Sequence, residues 1–189
     1  MREQLKKRLA RSNKRRSQYK KRKRNLWIAI GLIIFLGFLL PDPATIPVKG
    51  ATRGNWDPQS FWYHPWGDSI THKGIDIFAE KGTPVLSDGY GIVTFVGTYR
   101  KGGKVALVLG PKWKLHYYAH MDSQSVHTFQ LLKNGDQIGT VGDTGNAVGK
   151  PPHLHYTVRN VFPYPWRWST GPHGHMKMFY EDPGKRYPK

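Results

Sequence analysis

Two short segments constrain this chain more than anything else in it. The first reads His72-Lys73-Gly74-Ile75-Asp76 and the second Pro151-Pro152-His153-Leu154-His155-Tyr156. Side chains at even separations share one face of a strand. His72, Gly74, Asp76 and Phe78 then fall on one face, with Ile75 and Ile77 on the other. A helix would also bring positions four apart together, but Gly74 between them disfavours one. In the second segment His153, His155 and Thr157 share a face, while Leu154, Tyr156 and Val158 point into a core. A third segment, Lys114 to Met121, repeats the pattern, with His116, Tyr118 and His120 opposite Leu115, Tyr117 and Ala119. Period-two alternation of this kind predicts strands that are apolar on one side and carry imidazoles or a carboxylate on the other.

Histidine and carboxylate are the usual nitrogen and oxygen ligands of zinc, and three protein ligands with one open position make a catalytic site. The residue types therefore point to hydrolysis by a metal-bound water. Spacing alone leaves the third ligand open among His120, His153 and His155. The His173/His175 pair sits between Gly171, Pro172 and Gly174, outside any strand pattern, and reads as loop. Other hydrolytic plans lack their parts. There is no cysteine, hence no thiol nucleophile and no thiolate zinc site. No Gly-x-Ser-x-Gly elbow is present, and no HExxH. Only 12 Asp or Glu stand against 30 Lys or Arg, which leaves few carboxylates for the pair that glycosidases need.

Four stretches occur together: HKGIDIFAEKGTPV (72–85), YYAHMD (117–122), KNGDQIGTVGDTGNA (133–147) and PPHLHYTV (151–158). On these the chain resembles the zinc endopeptidases of the lysostaphin/LytM type, peptidase family M23, over about residues 61–160. The resemblance implies that His72, Asp76 and His155 bind one zinc ion. It implies that His120 and His153 are the catalytic histidines, together activating water, stabilising the oxyanion and protonating the leaving amine. It also implies a compact antiparallel β-fold with the zinc in a groove, and peptidoglycan stem or bridge peptides as substrate. Some relatives have lost ligands and regulate other hydrolases; this chain keeps all of these positions. A zinc-containing, non-catalytic wall-binding or regulatory module is the alternative. His116 and Tyr118 are expected along the same cleft or on an exposed strand face.

The formal charge of +18 is lopsided. Residues 1–24 hold 13 Lys or Arg and one Glu, a net +12. Leu26 to Leu40 follows with no charge. Basic residues before an apolar run mark the cytoplasmic side of a membrane segment, so a nucleic-acid arm is not expected. Fifteen residues span only about 22 Å against a hydrocarbon core of about 30 Å. A cleaved signal peptide would want an A-x-A-like site, which PDPATIP does not supply. The expectation is a single-pass signal anchor with its N-terminus inside, held by cytoplasmic head groups, and the catalytic part on the outer face.

The expected organisation is a basic tail (1–24), a transmembrane anchor (25–41), an extended proline-containing linker (42–60), the zinc peptidase domain (61–165) and a C-terminal extension (166–189). The extension should cover a face of the domain or rim the groove, with 183–189 disordered. From residue 72 onward β-branched runs alternate with glycine turns, and no convincing helical period appears. Gly102-Gly103 and Asn134-Gly135 read as hairpin turns. The fold class is all-β, a compact antiparallel sheet or sandwich, preceded by one transmembrane helix.

Overall fold

A computed structural model describes residues 1–187, with the side chains of Leu5, Lys7, Arg8, Leu9, Ala10, Ser12 and Asp68 left aside. The chain divides into two compact units, Met1–Leu40 and Pro41–Lys189. The first is a single helix, α1 (Arg2–Leu39). Its Lys, Arg, Gln and Leu residues are good helix formers. It stops where Pro41 pushes the preceding Leu40 into extended backbone. Leu26, Trp27, Ile28, Leu32 and Phe35 on it are exposed. Among the described residues no helix is long and apolar enough to cross a membrane. The transmembrane helix expected above is therefore not supported, because the apolar stretch is too short and the rest of α1 is basic.

The second unit is built from ten strands: β1 (Ile75–Phe78), β2 (Pro84–Leu86), β3 (Gly91–Tyr99), β4 (Gly103–Gly110), β5 (Lys114–Met121), β6 (Ser123–Gln124), β7 (Leu131–Leu132), β8 (Gln137–Thr140), β9 (His153–Asn160) and β10 (Tyr180–Glu181). The main sheet runs β1-β9-β5-β4-β3-β7, with β10 also paired to β9. A small sheet runs β2-β8-β6. Every pairing is antiparallel. The alternation read from sequence sets which face is buried: Ile75, Ile77, Leu154, Tyr156 and Val158 all lie in one core. Val85 and Ile138 from the small sheet join the same cluster.

The glycine turns divide in their roles. Gly102 and Gly103 do close the β3–β4 hairpin, Gly103 with φ +63°. Asn134-Gly135 also turns the chain, with Gly135 at φ +84°, but β7 and β8 on either side belong to different sheets. It is a crossing point between sheets and not a hairpin.

Residues 42–60, expected as an extended spacer, are part of the folded unit. Val48 is buried and bridges Val85. Trp56 is buried and meets the Tyr187 ring edge-on at 5.8 Å. The chain end is likewise packed: Pro183–Arg186 forms a turn capped by the Asp182 carboxylate, and Tyr187 is buried. The disorder expected for 183–189 is thus corrected for 183–187; residues 188–189 lie outside the described residues.

Candidate active site

The β1–β9 pairing sets Asp76 directly opposite His155 and Phe78 opposite His153. Opposite residues on one face of an antiparallel pair bring their side chains together. Gly74 lets the lead-in to β1 lie against β9, since a Cβ there would collide with the Tyr156 carbonyl and the Thr157 hydroxyl. His72, just before β1, is held by backbone hydrogen bonds with Trp62 and Tyr63. The Trp66 ring stacks on its imidazole at 4.2 Å.

Three donor atoms converge from these residues. His72 Nε2 is 3.1 Å from both Asp76 Oδ1 and His155 Nδ1, and His155 Nδ1 is 2.7 Å from Asp76 Oδ1. Among the described residues this is the group of His, Asp or Glu placed to hold a metal ion. The far sides of both rings are engaged. His72 Nδ1–H donates to the Ser60 carbonyl at 2.9 Å, and His155 Nε2 lies 3.1 Å from the Thr157 hydroxyl. Such outer partners fix the tautomer and aim the other nitrogen at the metal. Burial raises the Asp76 pKa, but hydrogen bonds from His155 and His72 outweigh it and hold the carboxyl far below the usual range. The group is thus an ionised carboxylate and two oriented imidazoles, a donor set that fits zinc.

His120 departs from the alternation of β5. Strict period two would place it on the buried face with His116 and Tyr118. Its φ of +62° and a register slip between Lys104 and Ala106 in the β4–β5 pairing turn the side chain to the cleft instead. A non-glycine residue in this region stores about 1–3 kcal/mol and is characteristic of functional sites. The ring lies 5.1 Å from His153 and 5.9 Å from His155. His120 Nδ1–H donates to Thr144 O and His153 Nδ1–H to Pro151 O, each at 2.8 Å. Each ring is thereby held from its Nδ1 side. Burial, then the neighbouring His155, pushes the His120 pKa down to about 4, so its ring is neutral at pH 7.

Tyr117 is a site residue that sequence reading placed on the wrong side. It faces the cleft, edge-on to His155 at 6.2 Å. Burial raises its pKa to about 12, so the phenol keeps its proton. His116 and Tyr118, expected in the cleft or exposed, are instead buried on the opposite face of the sheet. Tyr156 uses its one proton on Asp88 Oδ2, so His116 Nδ1–H must donate to the Tyr156 oxygen at 2.6 Å. Among the described residues His116 Nε2 is left buried without a partner.

That burial lowers the His116 pKa from 6.5 to about 4. Between those values the unfolded chain binds a proton that the folded chain does not, so stability is complete above pH 6.5 and falls as pH drops toward 4. The contribution is on the order of 3 kcal/mol. Urea midpoints measured from pH 7.5 to 4.5 should fall less steeply for His116→Leu than for the unaltered chain. Parallel curves would show that His116 does not carry the effect.

Two cavities open beside the donor atoms. One of about 610 Å³ holds Asp76, His120, His153 and His155. The other, of about 350 Å³, holds His72, Lys73 and Arg159. Trp66, Ser69, Tyr117 and His155 line both, so the three donor atoms stand where the two meet.

Comparison with known proteins agrees with this geometry. Peptidase family M23 matches residues 70–164. The L-Ala–D-Glu endopeptidase of Bacillus subtilis (strain 168) is 35% identical over 145 residues, covering 72% of this chain and 43% of its own. The peptidoglycan DD-endopeptidase ShyC of Vibrio cholerae is 33% identical over 103 residues, covering 54% of this chain and 23% of its own. The chain therefore spans less than half the length of either relative. Among solved structures, the catalytic domain of lysostaphin from Staphylococcus simulans superposes with a TM-score of 0.55 at 24% identity, over 69% of this chain and 91% of that one. A lytM protein from Ruminococcus gnavus gives a TM-score of 0.51 at 28% identity, over 64% and 53%. The family match runs through β1, β5 and β9, the strands that assemble the histidines and Asp76, and the chain belongs to peptidase family M23.

Proposed function

We propose that this chain is a zinc endopeptidase that hydrolyses peptide bonds of peptidoglycan. The observation that carries the reading is the convergence of His72, Asp76 and His155 beside the imidazoles of His120 and His153, whose Nδ1–H groups are tied to backbone carbonyls. The relative named a peptidoglycan DD-endopeptidase, beside the one named an L-Ala–D-Glu endopeptidase, supports the substrate class. Zinc held by His72, Asp76 and His155 would polarise the scissile carbonyl and make water acidic enough to attack near neutral pH. His120 and His153, each held through Nδ1–H to a backbone carbonyl, together take the proton from the attacking water and return it to the leaving amine. Histidine is the side chain most often used for such proton transfer, and the neutral ring of His120 is ready to accept. Tyr117 is placed to donate a hydrogen bond to a bound peptide.

The same reading extends to where the protein works. We propose that residues 25–41 hold it at the cytoplasmic membrane with the folded unit on the outer face, the shortness of the apolar run being met by Arg24 snorkelling and by local thinning of the bilayer. The charge-free run directly after 13 Lys or Arg supports this.

The test uses the full chain, with and without a chelator, on cross-linked peptidoglycan. New peptide ends detected by mass spectrometry only with zinc present are expected, from protein recovered in the membrane fraction. Zinc bound with no new ends would leave a wall-binding module in place of the enzyme. Recovery in the soluble fraction would remove the tether.

A further inference from the structure

The second cavity has a chemistry of its own. His153, His155, Thr157 and Arg159 stand on one side of β9 at alternate positions. Strand residues rise about 3.3 Å each, so Arg159 lies about 13 Å beyond the ligand His155 along the cleft wall. Its cross-strand neighbours are Leu115 on β5 and Tyr180 on β10. Leu107, Leu115, Tyr99 and Tyr180 give the cavity an apolar lining. Lys73 also lines it. Two of its ammonium protons go to the Ser69 and Thr71 carbonyls, at 3.0 and 3.4 Å. Both acceptors are neutral, so the positive charge is not cancelled, and an ammonium has a third proton to give.

Among the described residues, Asp76 is the carboxylate that lines either cavity, and it belongs to the donor set. Among the described residues every other formally charged side chain lining them is basic. A concave surface of one sign concentrates ligands of the other. A cavity walled by leucines and aromatic rings, with Arg159 and Lys73 in its lining, fits a carboxylate carried on a short apolar stem.

We propose that this cavity is a substrate subsite for a carboxylate-bearing residue near the scissile bond, with Arg159 and Lys73 as its specificity-determining groups. The proposal rests on the endopeptidase reading for the existence of a peptide substrate. Charge-assisted hydrogen bonds with Arg favour a carboxylate over an uncharged group of the same shape.

The test compares one peptidoglycan stem peptide with versions in which each carboxylate in turn is a carboxamide. Turnover and calorimetric binding are measured on the full, zinc-loaded chain. One amidation is expected to lower kcat/KM and affinity by about 10- to 100-fold. In Arg159→Gln the ratio between that amide and the acid should collapse toward one, chiefly through KM, and Lys73→Met should narrow it too. Equal losses on acid and amide would mark Arg159 as structural and overturn the subsite. So would cleavage by the unaltered chain that no amidation changes, while leaving the peptidase reading intact. Carboxylate-dependent binding without cleavage would keep the subsite and overturn the peptidase. Absence of both overturns both.

Discussion

His120→Asn is expected to lower kcat/KM on cross-linked peptidoglycan by about 10²–10⁴-fold, the usual worth of a general acid or base, while zinc binds as before. Asn is the informative replacement because His120 sits at φ +62°, a region that Asn tolerates better than most residues. The backbone, and the hydrogen bond from His120 N to the Gly102 carbonyl at 2.8 Å, can then persist. An Asn amide can still reach for the Thr144 carbonyl that now accepts from Nδ1, but it cannot take a proton at neutral pH. The variant thus removes the chemistry and keeps the shape. The donor atoms of His72, Asp76 and His155 do not include His120, so titration with zinc should give the stoichiometry of the unaltered chain. A near-normal rate would exclude His120 from the reaction. Lost zinc would show that its place is structural.

His120 also marks where the sequence stopped being legible. Period two on β1 and β9 is enough to align Asp76 with His155 and to bury Ile75, Ile77 and Leu154, and the structure has all of these. The same rule applied to β5 fails. A positive φ and a register slip reverse the alternation at one residue, and no glycine at 120 announces it. Strict alternation consequently puts Tyr117 in the core and Tyr118 and His116 out of it, the reverse of what the structure has. Spacing could not say which histidine completes the donor set; the family resemblance named His155, and its Nδ1 lies 3.1 Å from His72 Nε2.

The segment 42–60 was illegible for a different reason. Its prolines and lack of period describe a spacer locally, but its burial depends on residues distant in the chain. Asp42 pairs with Arg186, 144 positions away. A local reading has no access to a partner at that separation.

That pairing carries the second large effect. Arg186→Met should lower the stability of the folded unit by about 3–5 kcal/mol, the usual result of removing one partner from a buried ion pair. The Arg186 guanidinium is 5% exposed. It forks onto both oxygens of Asp42 at 3.0 and 3.1 Å and donates Nε–H to Asp88 Oδ2 at 3.0 Å. Lys114 also holds Asp42, at 2.7 Å, and reaches Glu181 at 3.0 Å. Asp88 accepts further from the Tyr156 and Tyr187 hydroxyls and from Thr45 N–H. Without Arg186 two buried carboxylates lose their main countercharge. Burial raises the Asp42 pKa, but hydrogen bonds from Arg186 and Lys114 outweigh it and hold the group at about 2. Its stabilising share is complete above the unfolded value of about 3.8 and is lost as pH falls through 2. Domains of ordinary stability have only about 5–15 kcal/mol in hand, so the urea midpoint should drop sharply. Adding Asp42→Asn to Arg186→Met removes one of the stranded charges and should recover part of the loss, the non-additivity expected of residues in direct contact. Unchanged midpoints, or single losses that simply add, would mean that the clasp is not coupled. The cluster joins both ends of the folded unit to β5 and β9 through Lys114 and Tyr156. Tyr156 is the next residue after His155, so loosening the clasp should also widen the spread of donor distances and weaken zinc binding before the unit unfolds.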